Sequence, residues 1–269
     1  MDGERLFNKG LACMEVSCCC CGPNYNDALE YFTEAAEFYT RHADISKAYE
    51  HAAVCYEALQ LKGSAALHYV KAATEALQDR SFNDVVRLLD EAKTIYLEID
   101  SPVSIVRHLK NFIQQVELRK PEIAFQLYNS LVEVIETCDI YYWNNHVFIE
   151  RAVLAAKLNK PIFEICQCWK RAQHAYLELE DFFNAAHCIS SELAYILQAN
   201  DLLLAFKTFQ EYTKLDWFAR TNDFIMMDEF IRGLQSKNEK LLYDAKNEIA
   251  IVSLNPEVSD ILHNLSSDG

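Results

Sequence analysis

Glycine and proline are nearly missing from this chain, 6 and 5 among 269 residues. Sheets and barrels turn often and use both residue types, so their scarcity argues against an all-β fold. It points to long helices joined by short connections. No apolar run reaches about 18 residues, so no transmembrane helix is expected. The opening MDGERLFNKG is charged and lacks the apolar stretch of a secretory signal, which predicts a cytoplasmic chain with the nucleus open to it. Gly-rich phosphate loops, HExxH and GxSxG are all absent, and no polar groups converge in the pattern of a catalytic site. The sequence therefore predicts no enzyme and no cofactor.

Positive charge is also in short supply. The net charge is −15, and residues 1–100 alone carry 9 basic against 17 acidic side chains. Such a surface repels phosphate backbones, which argues against nucleic acid as a partner and for a basic protein surface. A solvated acidic surface that only keeps the chain soluble accounts for the charge equally well.

Cysteine, by contrast, is abundant, with 10 residues. In a reducing compartment these are free thiols rather than disulfides. Cys55, Cys138 and Cys188 sit among apolar helical residues and read as small core side chains. Four are consecutive in SCCCCGPN, residues 17–24. Four adjacent sulfurs cannot readily share one tetrahedral centre, and adjacent cysteines form strained bridges. Two readings remain for Cys18, Cys19, Cys20 and Cys21 in a first interhelical loop at 17–26: a loop where cysteines happen to cluster, or a site of reversible palmitoylation. A zinc site built from His174, His187, Cys166, Cys168 and Cys188 is conceivable. Cys166 and Cys168 lie two apart on a predicted helix and so point to different faces, and core and surface roles fit these residues better.

The segments ALEYFTEAAEFY, AYEHAAVCYEAL and AALHYVKAATEAL look alike. Each places apolar or small residues at i, i+3, i+4 and i+7, one face of an α-helix, and in the first Leu29, Phe32, Ala36 and Tyr39 form the stripe. Small alanines let neighbouring helices approach closely while aromatics fill the gaps. Breakers fall between such segments at Gly22-Pro23, Gly63-Ser64, Ser101-Pro102, Lys120-Pro121, Lys160-Pro161 and Asn255-Pro256. The pattern predicts helices near 2–16, 27–42, 44–61, 64–79, 82–99, 102–117, 121–137, 140–158, 161–179, 182–198, 201–219, 223–235, 238–250 and 256–264, the last a short capping helix. The predicted fold is all-α: a right-handed α-solenoid of antiparallel helix pairs, of tetratricopeptide type, forming a single domain over 1–269. The pairs run longer than the tetratricopeptide unit of about 34 residues and lack its Trp-Leu-Gly-Tyr pattern.

Two families of helical stacks are similar. Pro23-Asn24-Tyr25-Asn26-Asp27-Ala28 followed by EYFTEAAEFY resembles the second helix of the gamma form of the soluble NSF attachment proteins, which bind SNARE bundles and recruit the ATPase that unwinds them. In those proteins the preceding loop contacts membrane. They also end in an acidic, leucine-tipped tail, whereas this sequence ends in SSDG. A longer run of segments, in order, resembles the huntingtin-associated family encoded within a factor VIII intron. These are AYEHAAVCYEALQLKGSAALHYVKAATEAL at 48–77, AKTIYLEIDSP at 92–102, CISSELAYIL at 188–197 and the tail from Leu254 to Leu265. That family has a long Pro-rich insertion where Glu180-Asp181-Phe182 closes the gap here, so no role of the insertion carries over.

The second resemblance implies a non-enzymatic scaffold held between the HEAT-repeat arms of huntingtin, with links to early endosomes and their trafficking factors. The first implies an adaptor for SNARE disassembly. A large clamp of the huntingtin kind calls for exposed apolar surface. Candidate clusters are Ile140-Tyr141-Tyr142-Trp143, Trp217-Phe218 and Phe224-Ile225-Met226-Met227, each of which fits a core role as well. Trp143, Trp217, Phe218 and Leu262 are the apolar candidates for partner binding. Asp244, Glu248, Glu257 and Asp260 are the acidic ones, facing a basic surface on the partner.

Overall fold

The computed structural model describes residues 3–15 and 22–266. Among the described residues there are fourteen α-helices and one 3-10 turn, and no strand. The all-α expectation holds: consecutive helices pack as antiparallel pairs. The contacts gather them into two compact units, Met1–Cys138 and Asp139–Gly269.

The first unit holds α1 (Gly3–Met14), α2 (Tyr25–Phe38), α3 (His42–Ala58), α4 (Lys62–Gln78), α5 (Phe82–Glu98), α6 (Pro102–Val116) and α7 (Pro121–Thr137). From α3 to α6 each helix begins twenty residues after the last, so a helix pair repeats every forty, against about 34 in a tetratricopeptide unit. Alanines make this packing possible. Ala28, Ala35, Ala48, Ala52, Ala53, Ala65, Ala66, Ala72 and Ala73 have no exposed surface, so facing backbones come close together. At the α1–α2 contact the side chain disappears altogether. A Cβ on Gly10 would stand 2.7 Å from the Phe32 ring, which itself packs edge-on against Phe7 at 5.2 Å.

The second unit holds α8 (His146–Lys157), α9 (Ile162–Leu177), α10 (Phe182–Gln198), α11 (Leu202–Tyr212), the 3-10 turn Phe218–Arg220, α12 (Asn222–Ser236), α13 (Glu239–Val252) and α14 (Pro256–Asn264). Here α10 is the hub. It packs against α9, α11, α12 and α14, and every residue from Cys188 to Leu197 is buried.

Proline works as expected: Pro102, Pro121 and Pro256 each open a helix, where a missing N–H costs nothing. Glycine does not make the breaks. Gly63 lies inside α4, and the turn before it is made by Gln60 at φ 60°. The ten described residues with positive φ are all non-glycine, among them Gln60, Arg80, Asp100, Asn159, Glu180 and Asn200. The same bonding recurs at several of them. Ser81 N–H donates to Ala76 O at 2.9 Å, Ser101 N–H to Tyr96 O at 2.8 Å, and Asp181 N–H to Tyr176 O at 2.9 Å. These are Schellman closures, in which glycine is the usual residue.

Two predicted helices are shorter than the sequence suggests. The reading of 140–158 becomes α8 at 146–157, because polar side chains take over the backbone ahead of it. The Asn144 amide donates to Ile140 O at 2.7 Å, the Asn145 side chain accepts from His146 N–H at 3.1 Å, and Trp143 is left-handed at φ 68°. The reading of 201–219 ends at Tyr212, where the Thr213 hydroxyl donates to Gln210 O at 2.8 Å and the chain leaves the helix.

Candidate functional site

The second unit carries most of the sequence-predicted binding residues, and the structure scatters them. Trp143 is 77% exposed at the turn before α8, with the Tyr142 ring edge-on at 4.5 Å and itself well exposed. Trp217 is partly exposed and leans on Phe182, the first residue of α10, at 5.5 Å. Its neighbour Phe218 has no exposed surface: it is wedged between Tyr212 and Phe224 at 6.1 and 5.8 Å. Leu262 is likewise fully buried, and so are Met226 and Met227 of the third apolar cluster. These four side chains belong to the core and offer a partner no surface. Sequence pattern alone could not tell them from Trp143, because α14 and α12 have apolar stripes that the fold covers.

The acidic candidates divide as well. Asp244 and Glu248 on α13 stand near Asp228 and Glu229 of α12, and burial followed by these like charges pushes the Glu229 carboxyl above its usual range. Glu257 lies elsewhere, in an ion pair with Lys157 at 2.7 Å. Asp260 is exposed on α14 beside a cavity of about 590 Å³ that Ile261 and Leu265 also line. The palmitoylation candidates Cys18, Cys19, Cys20 and Cys21 lie outside the described residues.

The structure also shows two buried polar clusters that the sequence reading missed. In one, Asp223 of α12, 3% exposed, accepts from the Ser190 hydroxyl at 2.8 Å and meets His187 Nδ1 at 3.0 Å. The three residue types match a hydrolytic triad, yet the arrangement differs. The serine is bonded to the carboxylate and not to the imidazole, so the imidazole base of such a triad does not reach it. The cluster ties α10 to α12. In the other, Glu192 of α10 is 2% exposed and accepts from the Tyr212 hydroxyl at 2.5 Å, with the Lys170 ammonium at 3.5 Å. Burial outweighs these partners and pushes its carboxyl above the usual range. Such acids are invisible in sequence, because Glu192 lies in SELAYIL and gives no sign of facing inward.

The described cysteines outside the first loop are enclosed by the helices or half-buried. Cys166 and Cys168 are both buried, and no group of three or more possible ligands gathers among the described residues. Burial pushes the Cys166 thiol up to about 12 and the Cys55 thiol to about 11. A thiol held protonated is neither a nucleophile nor a metal ligand. Cys55 and Cys188 are in the core as the sequence suggests, while Cys138 closes α7 half-buried. No helix among the described residues is long and apolar enough to cross a membrane.

What the geometry offers is therefore surface on a helical scaffold. Comparison with known families agrees. The sequence model described as "Soluble NSF attachment protein, SNAP" matches residues 18–244, most of the chain and the greater part of both units. The chain belongs to the soluble NSF attachment protein family, whose members are non-enzymatic adaptors built on this helical stack.

Proposed function

We propose that this protein is an adaptor that holds SNARE bundles for disassembly by the NSF ATPase. The observation that carries the reading is the family match over residues 18–244, reinforced by consecutive antiparallel helices throughout both units. Adaptors of this kind work by presenting side chains on a rigid stack, and the close alanine packing of α2 to α5 supplies rigidity. In this reading residues 1–269 act as one working domain.

A reconstituted assay tests it directly. Purified chain, SNARE bundle and NSF with ATP are combined, and disassembly is followed by loss of energy transfer between labelled SNAREs. Acceleration that depends on the chain is the expected result. No acceleration, together with no co-sedimentation on the bundle, removes the proposal.

The second reading is a scaffold that binds and stabilises huntingtin, with links to early endosomes. It is favoured by the ordered resemblance of 48–77, 92–102, 188–197 and 254–265, and by the exposed Tyr142–Trp143 pair as an apolar anchor. Asp260 and the Asp244–Glu248 pair are its candidate acidic contacts. Affinity purification separates the two readings. A stoichiometric HEAT-repeat protein of very large mass selects this one, and SNAREs with NSF select the first.

A further inference from the structure

Two joints at one end of the first unit's helices carry basic side chains. Turns that close α3 and α5 carry Gln60 and Asp100 at the left-handed position. Turns that close α4 and α6 lie at the other end of the antiparallel helices and carry Arg80 and Arg119-Lys120. Arg80 and Lys120 are forty residues apart, one helix-pair repeat, so the repeat itself places them side by side.

Between those two turns lies a cavity of about 640 Å³. Arg80, Arg119 and Lys120 line it together with Gln78, Gln115 and Phe82, and no carboxylate does. None of the three cations forms an ion pair among the described residues. The Lys120 ammonium rests over the Phe82 ring at 5.8 Å. Of the acids in the flanking segments, Asp84 meets the Ser81 hydroxyl at 2.5 Å and Arg87 at 3.2 Å, Glu117 meets the Tyr128 hydroxyl at 3.5 Å, and Asp79 and Glu122 stand outside the lining of the cavity. In a chain of net charge −15, three unpaired cations converging on one cavity are a departure that solubility does not require.

We propose that this cavity binds a multiply phosphorylated small polyanion of the inositol-phosphate class, free or as the headgroup of a phosphoinositide lipid. Guanidinium forks match phosphate oxygens in pairs, and the ammonium adds a point charge beside them. Gln78 and Gln115 supply amide donors for hydroxyls or phosphate oxygens, and Phe82 an apolar wall for a carbon ring. The volume falls within the range of about 300–1,000 Å³ found for small-molecule sites. The proposal does not rest on the adaptor reading, since it is argued from the lining of the cavity alone.

Arg80 provides a favourable test. Its backbone is at φ 61°, where glycine is at ease, so Arg80→Gly removes the cation while relieving the backbone. Inositol trisphosphate is titrated calorimetrically into the full chain and into Arg80→Gly, Arg119→Ala and the control Lys214→Ala. Vesicles of phosphatidylcholine with and without phosphatidylinositol bisphosphate are sedimented with the same proteins. The expected result is saturable binding that weakens on the order of tenfold in each cavity variant. Arg80→Gly should melt no lower than the parent, and Lys214→Ala should bind as the parent does. Binding to the lipid vesicles as well identifies a membrane headgroup, and binding of the free compound alone identifies a soluble ligand. Absence of saturable binding, equal binding by all the variants, or equal competition by polyglutamate overturns the proposal; the last would make the patch a dock for acidic protein.

Discussion

The two units solve the same packing problem with different materials. The first is rich in buried alanine around Phe32 and, among its described residues, buries two polar ones, Ser46 and His68. The second encloses Trp169, Phe148, Phe218 and Phe230 and, with them, Arg151, Ser190, Ser191, Glu192 and Asp223. Small side chains bring backbones close and make a regular step, because one helix contact resembles the next. Bulky ones hold helices apart and leave room for polar groups, which then need partners. The twenty-residue step from α3 to α6 and the hub of α10, with buried polar clusters reaching α11 and α12, are the two outcomes.

The contrast can be tested by attacking each unit where it is most specialised. The largest effect is expected at Asp223→Ala, which strips the Ser190 hydroxyl and His187 of their buried partner. A loss of about 3 kcal/mol follows from leaving such groups unsatisfied, read as a lower urea midpoint. The matching break in the first unit is Gly10→Ala. The added methyl meets the Phe32 ring, and overpacking should cost about 1–3 kcal/mol in the same assay. If Gly10→Ala is neutral, the α1–α2 contact is looser than the alanine-packing argument allows.

Substitutions at the joints go the other way. Gln60→Gly in the first unit and Glu180→Gly in the second should each stabilise by about 0.5–1 kcal/mol, since each residue sits at positive φ without the freedom of glycine. Equal gains would show that the joints, unlike the cores, are common to both units.

The smallest effect is a divergence with pH. Burial lowers the proton affinity of His68 and His108 in the first unit, so their contribution is present above the unfolded value near 6.5 and fades as pH falls through it. Burial raises that of Glu192 in the second unit. Its contribution is full below the unfolded value near 4.5 and is lost as pH rises through the folded one. Hydrogen exchange resolved by peptide should therefore show the first unit loosening and the second tightening as pH falls from 7 towards 4.5. Parallel changes in both units would contradict these assignments.

Legibility from sequence followed the same division. The helices of the first unit were readable nearly end to end, because alanine pairs such as Ala52-Ala53 and Ala72-Ala73 mark the inward face at helical spacing. Helix ends were read from glycine and proline, yet glycine was a false guide. Gly63 sits within a helix, and the joints are made by Gln60, Arg80 and Glu180, which carry no turn signature of their own. Binding residues were least legible. Trp143 and Phe218 are both large aromatics in apolar surroundings, and only the packed neighbours decide that one is exposed and the other enclosed. The basic cavity is hidden for another reason: its cations come from turns forty residues apart, and a net charge of −15 gives no sign of a local basic cluster.

The step of the first unit bears on how the protein is made. Each helix from α2 to α7 packs against the helix that precedes it, and the left-handed closures bond only to the turn just completed. During synthesis, the surface a new helix needs has already left the ribosome by the time that helix appears. Folding of this part can keep pace with translation, since no distant segment has to be awaited and no strand edge is left open meanwhile.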